Sequence, residues 1–227
     1  MTGAPFPDSL RGKLIVSCQA TPGDPLDHVD TLTRIAISVA RGGAGGLRAN
    51  GAVCIAAFRG EVNLPILGIH KRKMGNEVSI TPDFASAEAL VKAGADVIAL
   101  DCSAARHPEA EPWPSVIARV HAGLRTPVLA DIATFDEALA AEAAGADAVA
   151  TTLYGFTPET SGARTVNWEM VEKLANILRV PLIVEGHILQ PQELRRAFDL
   201  GAFAVVVGSA ISRPESITAR FISALQS

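Results

Sequence analysis

TPVLADIATFDEALAAEAAGADAVATT, residues 126–152, is one complete strand–helix–strand unit. Its Pro-led apolar run, TPVLADI at 126–132, is short and continuous, as a strand covered on both faces requires. Thr134 followed by Glu137 has the spacing of a capping box, so a helix begins there and runs through the Ala- and Leu-rich stretch beyond. Gly145 fits the left-handed position just past a helix, and GADAVATT at 145–152 is the next buried strand. A strand, a helix and a strand in that order give parallel strands joined by a right-handed crossover.

Outward from this unit the same two strand entries recur. Pro precedes an apolar run again in LPILGIHK at 64–71 and VPLIVEG at 180–186, and Gly-Ala opens GADVIALD at 94–101 and GAFAVVVG at 201–208. KLIVSCQ at 13–19 and GGLRAN at 45–50 complete eight strands, so the 227 residues divide into units of about 28, the size of one strand plus one helix. Pro191 and Pro214 stand where a first helical residue tolerates proline. The expected architecture is α/β, a single (β/α)8 TIM barrel over residues 1–227 with no second domain. Only KRKMGNEVSITPDF, 71–84, is too long for a plain turn; its Gly75-Asn76 pair before the alternating EVSIT predicts a β-hairpin flap over the barrel mouth after the third strand.

Composition narrows the function. The chain is 48% hydrophobic and 19% charged, with 20 basic and 24 acidic residues and a net charge of -4. Scattered basic residues on an acidic chain are not the footprint of a nucleic-acid or anionic-membrane binder. No stretch reaches the ~18 uninterrupted apolar residues of a membrane span, and the N-terminus lacks a signal-peptide pattern, so a cytoplasmic protein with a small-molecule partner is expected. Cys18, Cys54 and Cys102 are odd in number with no CxxC pair, which predicts reduced, mostly buried thiols rather than a disulfide framework or zinc site.

The chemistry of a barrel sits at the carboxyl ends of its strands, and here nearly every strand ends in a functional group: Gln19, Arg48 with Asn50, Lys71 with Arg72, Asp101, Asp131, Thr151 with Thr152, Glu185 with His187, and Gly208 with Ser209. Strand alternation puts Lys71 on the inward face with Leu67 and Ile69, and His70 outward. Lys71 is either a solvated loop lysine or a desolvated amine serving as base or Schiff-base former. Glu185 interrupts an apolar strand, where a carboxylate is either salt-bridged or functional. The third and seventh strands are nearly opposite, so this pair could address both faces of one carbon, an arrangement for inversion by proton transfer. Asp101 and Asp131 suit the orienting of Lys71, Arg48 or a loop amide. A metal set of Asp101, Asp131, Glu185 and His187 is the alternative, but it has a single inward-facing His. His28, His107 and His121 read as surface residues. Gly186, Gly208 and Ser209, with Arg213 shortly beyond, form a phosphate site of close backbone approach and free N–H donors.

Read together, GKLIVSCQA (12–20), GGLRANG (45–51), LGIHKR (67–72), ITP (80–82), LADIAT (129–134), ATTLYGFT (150–157), VEGHI (184–188) and VVVGSAISRP (205–214) resemble the N-acylglucosamine-6-phosphate 2-epimerase family, also called N-acetylmannosamine-6-phosphate 2-epimerase, over essentially the whole chain. The resemblance implies interconversion of N-acetylmannosamine 6-phosphate and N-acetylglucosamine 6-phosphate in amino-sugar and sialic-acid breakdown, without a redox cofactor or required metal. By the same resemblance Lys71 and Glu185 are the acid/base residues, and Gln19, Arg48, Asp131 and Thr152 shape the sugar site. Gly186, His187, Gly208, Ser209 and Arg213 hold the phosphate. The implied partner is a phosphorylated N-acetyl amino sugar; oligomeric state is left open, a homodimer being one option. Tyr154 and His187 depart from the family pattern, and Tyr154 bears on the fit of the N-acyl end. A Schiff-base aldolase using Lys71 and a noncatalytic phosphate-ligand sensor are the competing classes.

Overall fold

All eight apolar runs are strands of one closed parallel barrel in the computed structural model, which describes residues 4–75 and 77–225. In chain order the strands are β1 (Lys13–Cys18), β2 (Gly46–Asn50), β3 (Ile66–Ile69), β4 (Lys71–Met74), β5 (Glu77–Ile80), β6 (Val97–Asp101), β7 (Val128–Asp131), β8 (Ala148–Ala150), β9 (Leu182–Glu185) and β10 (Ala204–Val207). Around the barrel they run β1-β2-β3-β6-β7-β8-β9-β10, and β10 pairs back onto β1, Leu14 opposite Val205, to close it. β4 and β5 stand outside as the expected antiparallel hairpin, Lys71 opposite Ile80 and Met74 opposite Glu77; Asn76, placed in its turn from sequence, lies outside the described residues.

The helices are α1 (Val29–Arg41), α2 (Ala52–Glu61), α3 (Phe84–Lys92), α4 (Trp113–Arg119, running on into a π-helical turn at Val120–Leu124), α5 (Phe135–Ala143), α6 (Trp168–Ile177), α7 (Pro191–Asp199) and α8 (Pro214–Ser223). Their ends follow from local chemistry. Thr134 Oγ1 accepts from the Glu137 N–H and the Glu137 carboxylate accepts from the Thr134 N–H, the full capping box of α5. After it Gly145 adopts φ 96°, freeing its N–H to reach the Glu142 carbonyl at 3.0 Å and turning the chain into β8. Pro191 and Pro214 each open a helix.

Two apolar layers result. Ile15, Leu67, Ile69, Val97, Leu129, Ile183 and Val206 fill the barrel interior, closed at the amino-terminal end by Phe6, Leu10 and Phe203. The opposite strand faces meet α1, α2, α3, α6 and α7 through residues such as Leu47, Ile98, Val128, Ile55, Leu90 and Leu174. Each such side chain contributes about 1.5–3 kcal/mol on burial. Cys18 and Cys102 lie buried as free thiols, and burial pushes the Cys18 thiol up to about 12, out of reach as a nucleophile. No helix among the described residues is long and apolar enough to cross a membrane.

The hairpin is bound to the barrel at its exit. Ile80 joins the interior cluster, so β5 packs against the barrel's carboxyl-terminal opening. Thr81 adopts φ 50°, uncommon for a β-branched residue, while its hydroxyl donates to the Ala99 carbonyl (2.7 Å) and accepts from His70 N–H (3.1 Å). Arg106 donates to five main-chain carbonyls, those of Asp101, Ile80, Thr81, Pro82 and Glu111, at 2.7–3.5 Å.

Candidate active site

Inward-facing positions at the strand ends converge on Arg48. Alternation along β2 points Arg48 into the barrel above the apolar layer, where it is 1% exposed. A guanidinium so buried is tolerable only when its charge is met, and it is met twice. Nη1 and Nη2 donate to the two oxygens of Asp131, at 3.0 and 2.5 Å, as a bidentate fork from β2 to β7. Nη1 also donates to Glu185 Oε2 at 2.5 Å, from β9. The Thr152 hydroxyl, at the end of β8, lies 2.6 Å from Asp131 Oδ1 and 3.1 Å from Glu185 Oε2. Thr151 brackets the main chain of Glu185, donating to its carbonyl (2.9 Å) and accepting from its N–H (3.1 Å).

Two groups of this network have opposed proton affinities. Burial raises the pKa of Glu185, and neighbouring Asp131 adds to the rise against the pull of Arg48, Thr152 and Lys71. Lys71, expected at the end of the third barrel strand, instead opens the hairpin strand β4 just past β3, with its main-chain N–H donating to Asn50 Oδ1 (2.8 Å). Its residue surface is open to solvent, yet protein packed around the ammonium desolvates it, and with Arg48 and Arg213 nearby this holds its pKa below the ordinary lysine value despite Glu185 and Asp131. An acid with a raised pKa within the field of an amine with a lowered one is an arrangement suited to proton exchange between them and a substrate.

Just past β1, Gln19 Nε2 donates to Ser17 Oγ (2.8 Å), while Gln19 Oε1 and Arg48 Nε are buried without a partner among the described residues. At the end of β10 the Ile211 and Ser212 amides both donate to the Gly208 carbonyl (2.9 Å each), curling 208–212 into a turn. Gly208 lies close to β1, since a Cβ there would be 3.3 Å from that of Ser17.

Residues 32–227 match the family model described as "Putative N-acetylmannosamine-6-phosphate epimerase". The chain belongs to this epimerase family. Relatives carrying the corresponding 2-epimerase name include one from Clostridium perfringens, 40% identical over 220 residues (96% of this chain, 99% of the relative), and one from Enterobacter sp. (strain 638), 41% identical over 223 residues (96% and 95%). A solved structure described as the N-acetylmannosamine-6-phosphate 2-epimerase from Clostridium perfringens superposes with a TM-score of 0.91 at 39% identity, covering 96% of this chain and 95% of that one.

Within this epimerase-family chain, four residues singled out from sequence, Arg48, Asp131, Thr152 and Glu185, form one hydrogen-bonded cluster, and Lys71 lies within its electrostatic field. Asp131 and Glu185 are committed to Arg48, and among the described residues no three His, Cys, Asp or Glu side chains are grouped to hold a metal ion. Asp101 stands apart, capping the Ser103 N–H and hydroxyl at 2.9 and 2.7 Å. Arg213 Nη2 is engaged by Thr21 (3.2 Å) and Asp24 (3.3 Å), partners that sequence reasoning missed because nothing in the loop after β1 marks them. Ser17 was also missed, although its place two residues before Gln19 on β1 signals the same inward face. The ring of His187, a residue expected among the phosphate-binding groups, is engaged within the protein. Its left-handed backbone (φ 59°) turns the ring into the loop after β8, where Nε2 meets the Tyr154 carbonyl at 2.9 Å. Tyr154, placed from sequence near the N-acyl end, packs its ring against the strand–helix layer.

Proposed function

We propose that the chain interconverts N-acetylmannosamine 6-phosphate and N-acetylglucosamine 6-phosphate by removing and returning the proton at C2 of the open-chain sugar, a step in amino-sugar and sialic-acid breakdown. The observation that carries this is the Arg48–Asp131–Thr152–Glu185 cluster facing a Lys71 of lowered proton affinity. C2 is acidified by the adjacent C1 aldehyde, and abstraction becomes feasible when donors stabilise the enolate-like charge. One of Lys71 and Glu185 takes the C2 proton as base, while the other, carrying a proton, delivers it to the opposite face; the roles exchange with the direction of reaction. Arg48 and Asp131 hold the Glu185 carboxylate in place, and Gln19, with an unmet acceptor, serves the sugar's hydroxyl or amide groups. The 6-phosphate is placed at Gly186, Gly208, Ser209 and Arg213, where main-chain N–H groups and one guanidinium meet an anion.

The enzyme is assigned to the cytoplasm, in keeping with three free thiols, and to a homodimer, because α8 has no buried side chain and leaves Phe221 75% exposed, with Leu225 just beyond the helix 82% exposed.

Proton NMR of the purified protein with N-acetylmannosamine 6-phosphate in D2O and EDTA tests the assignment. The gluco epimer should accumulate with deuterium at C2. Exchange of the C2 proton without epimer would reduce the site to a one-faced acid–base device, and a borohydride-trapped adduct at Lys71 would replace it with an aldolase.

A further inference from the structure

The sharpest backbone near the site lies immediately after Glu185. Gly186 has φ 97° and His187 φ 59°, two left-handed residues in succession, the second carrying a full side chain. Such a conformation persists where surrounding contacts hold it, and here the contacts all run to one loop. His187 Nε2 lies 2.9 Å from the Tyr154 carbonyl; a carbonyl has no proton, so the imidazole is the donor. The His187 ring stacks on Phe156 with centroids 5.5 Å apart and planes 5° from parallel, and stands edge-on to Tyr154 at 6.3 Å and 90°. Between those aromatics is Gly155, also left-handed at φ 87°. A Cβ at Gly155 would sit 2.7 Å from His187 Nε2 and 2.9 Å from the Ala163 carbonyl, so only glycine lets the imidazole in.

The two segments joined this way carry the site. Thr152 begins the loop between β8 and α6, and its hydroxyl reaches Asp131 and Glu185; Glu185 stands two residues before His187. We propose that His187 is a positioning residue: its imidazole latches the loop that carries Thr152 to the turn that follows Glu185, and so holds the Thr152 hydroxyl against the Glu185 carboxylate. The role rests on the epimerase assignment above and adds a group that touches no reacting atom. It differs from a phosphate contact in where its loss is felt. A latch governs the alignment of acid–base groups and is read in kcat; a phosphate ligand governs substrate and anion binding and is read in KM.

Two variants separate these. His187→Asn keeps a side chain that tolerates the left-handed backbone but whose amide falls short of the Tyr154 carbonyl, whereas His187→Gln carries an amide N–H at about the reach of Nε2. Misplacement of catalytic groups by a fraction of an ångström predicts a kcat loss of about 10- to 100-fold in His187→Asn, larger than the change that the shared Gly186 turn brings to KM and to inhibition by inorganic phosphate. His187→Gln recovers most of that kcat. By hydrogen exchange, the amides of residues 153–160 open faster in His187→Asn than in wild type, and His187→Gln restores their protection. Wild-type kcat in His187→Asn, or a loss confined to KM and phosphate inhibition, overturns the latch. If the wild-type enzyme shows no epimerisation, the functional assignment fails instead, and unchanged exchange at 153–160 in His187→Asn then refutes the latch on its own.

Discussion

Lys71 and Glu185 differ in how the protein pays for their charges, and substitutions there separate chemistry from folding. Lys71→Ala and Glu185→Gln should each lower kcat by about 10²–10⁴-fold, the usual weight of a positioned acid or base, in the D2O epimerisation assay. The melting temperature of Lys71→Ala should stay near wild type, because the ammonium is desolvated without an ion pair or side-chain hydrogen bond among the described residues to lose. Glu185 carries a further signature. Its folded pKa lies above the unfolded value, so the native state keeps a proton that the unfolded chain has released, and stability falls as pH rises from the ordinary glutamate pKa through the raised one. Glu185→Gln lacks this term, so its stability relative to wild type should climb across that window in urea titrations at stepped pH. A constant difference would mean that Glu185 titrates alike in both states. At this scale most of the site was legible, because inward parity and strand-end position follow from counting along LGIHK or LIVE. The His187 side chain was not, since parity fails once the backbone turns left-handed, and its partner is a main-chain carbonyl 33 residues away.

Among the elements, the hairpin depends on a tether outside itself. Arg106 is the shared donor for carbonyls at the end of β6, the exit of β5 and the approach to α4. Arg106→Ala leaves these acceptors short of a charged donor and should destabilise the protein by about 3 kcal/mol, with the Thr81 amide exchanging early. A loss under about 1 kcal/mol by urea denaturation would show that solvent replaces the guanidinium freely. The elements themselves were readable where local chemistry sets them: the Thr134–Glu137 box, the glycine after α5 and the prolines opening α7 and α8 all stand where expected. The Glu193 carboxylate accepting from the Leu189 and Gln190 N–H groups at the start of α7 was not anticipated, because glutamine is not among the residues that usually mark a helix start. The anchoring of the hairpin was also illegible, since Arg106 acts through main-chain oxygens that any sequence supplies.

For the whole molecule, the site is part of the folded core. Arg48 and Asp131 are 1% and 0% exposed, so Asp131→Ala strands a buried guanidinium with Glu185 as its remaining ion partner and should cost about 3–5 kcal/mol. Combining Arg48→Met, Asp131→Leu and Glu185→Gln removes the charges together and should recover most of that stability without turnover, as melting curves and the epimerisation assay would show. If the triple variant is no more stable than Asp131→Ala, the lost stability lies in packing and not in stranded charge. The eight-strand order was evident from the repeated unit, whereas the ring of charge depends on distances across the barrel that no local pattern encodes. The pairing of β10 with β1 has a consequence for the nascent chain. KLIVSC emerges early from the ribosome, but its second hydrogen-bonding edge has no partner until residues 204–207 have been synthesised and released from the exit tunnel. Throughout that interval an apolar strand edge is open to mispairing, so slowing translation late in the message should tax the yield of soluble protein more than slowing it after the last strand has emerged.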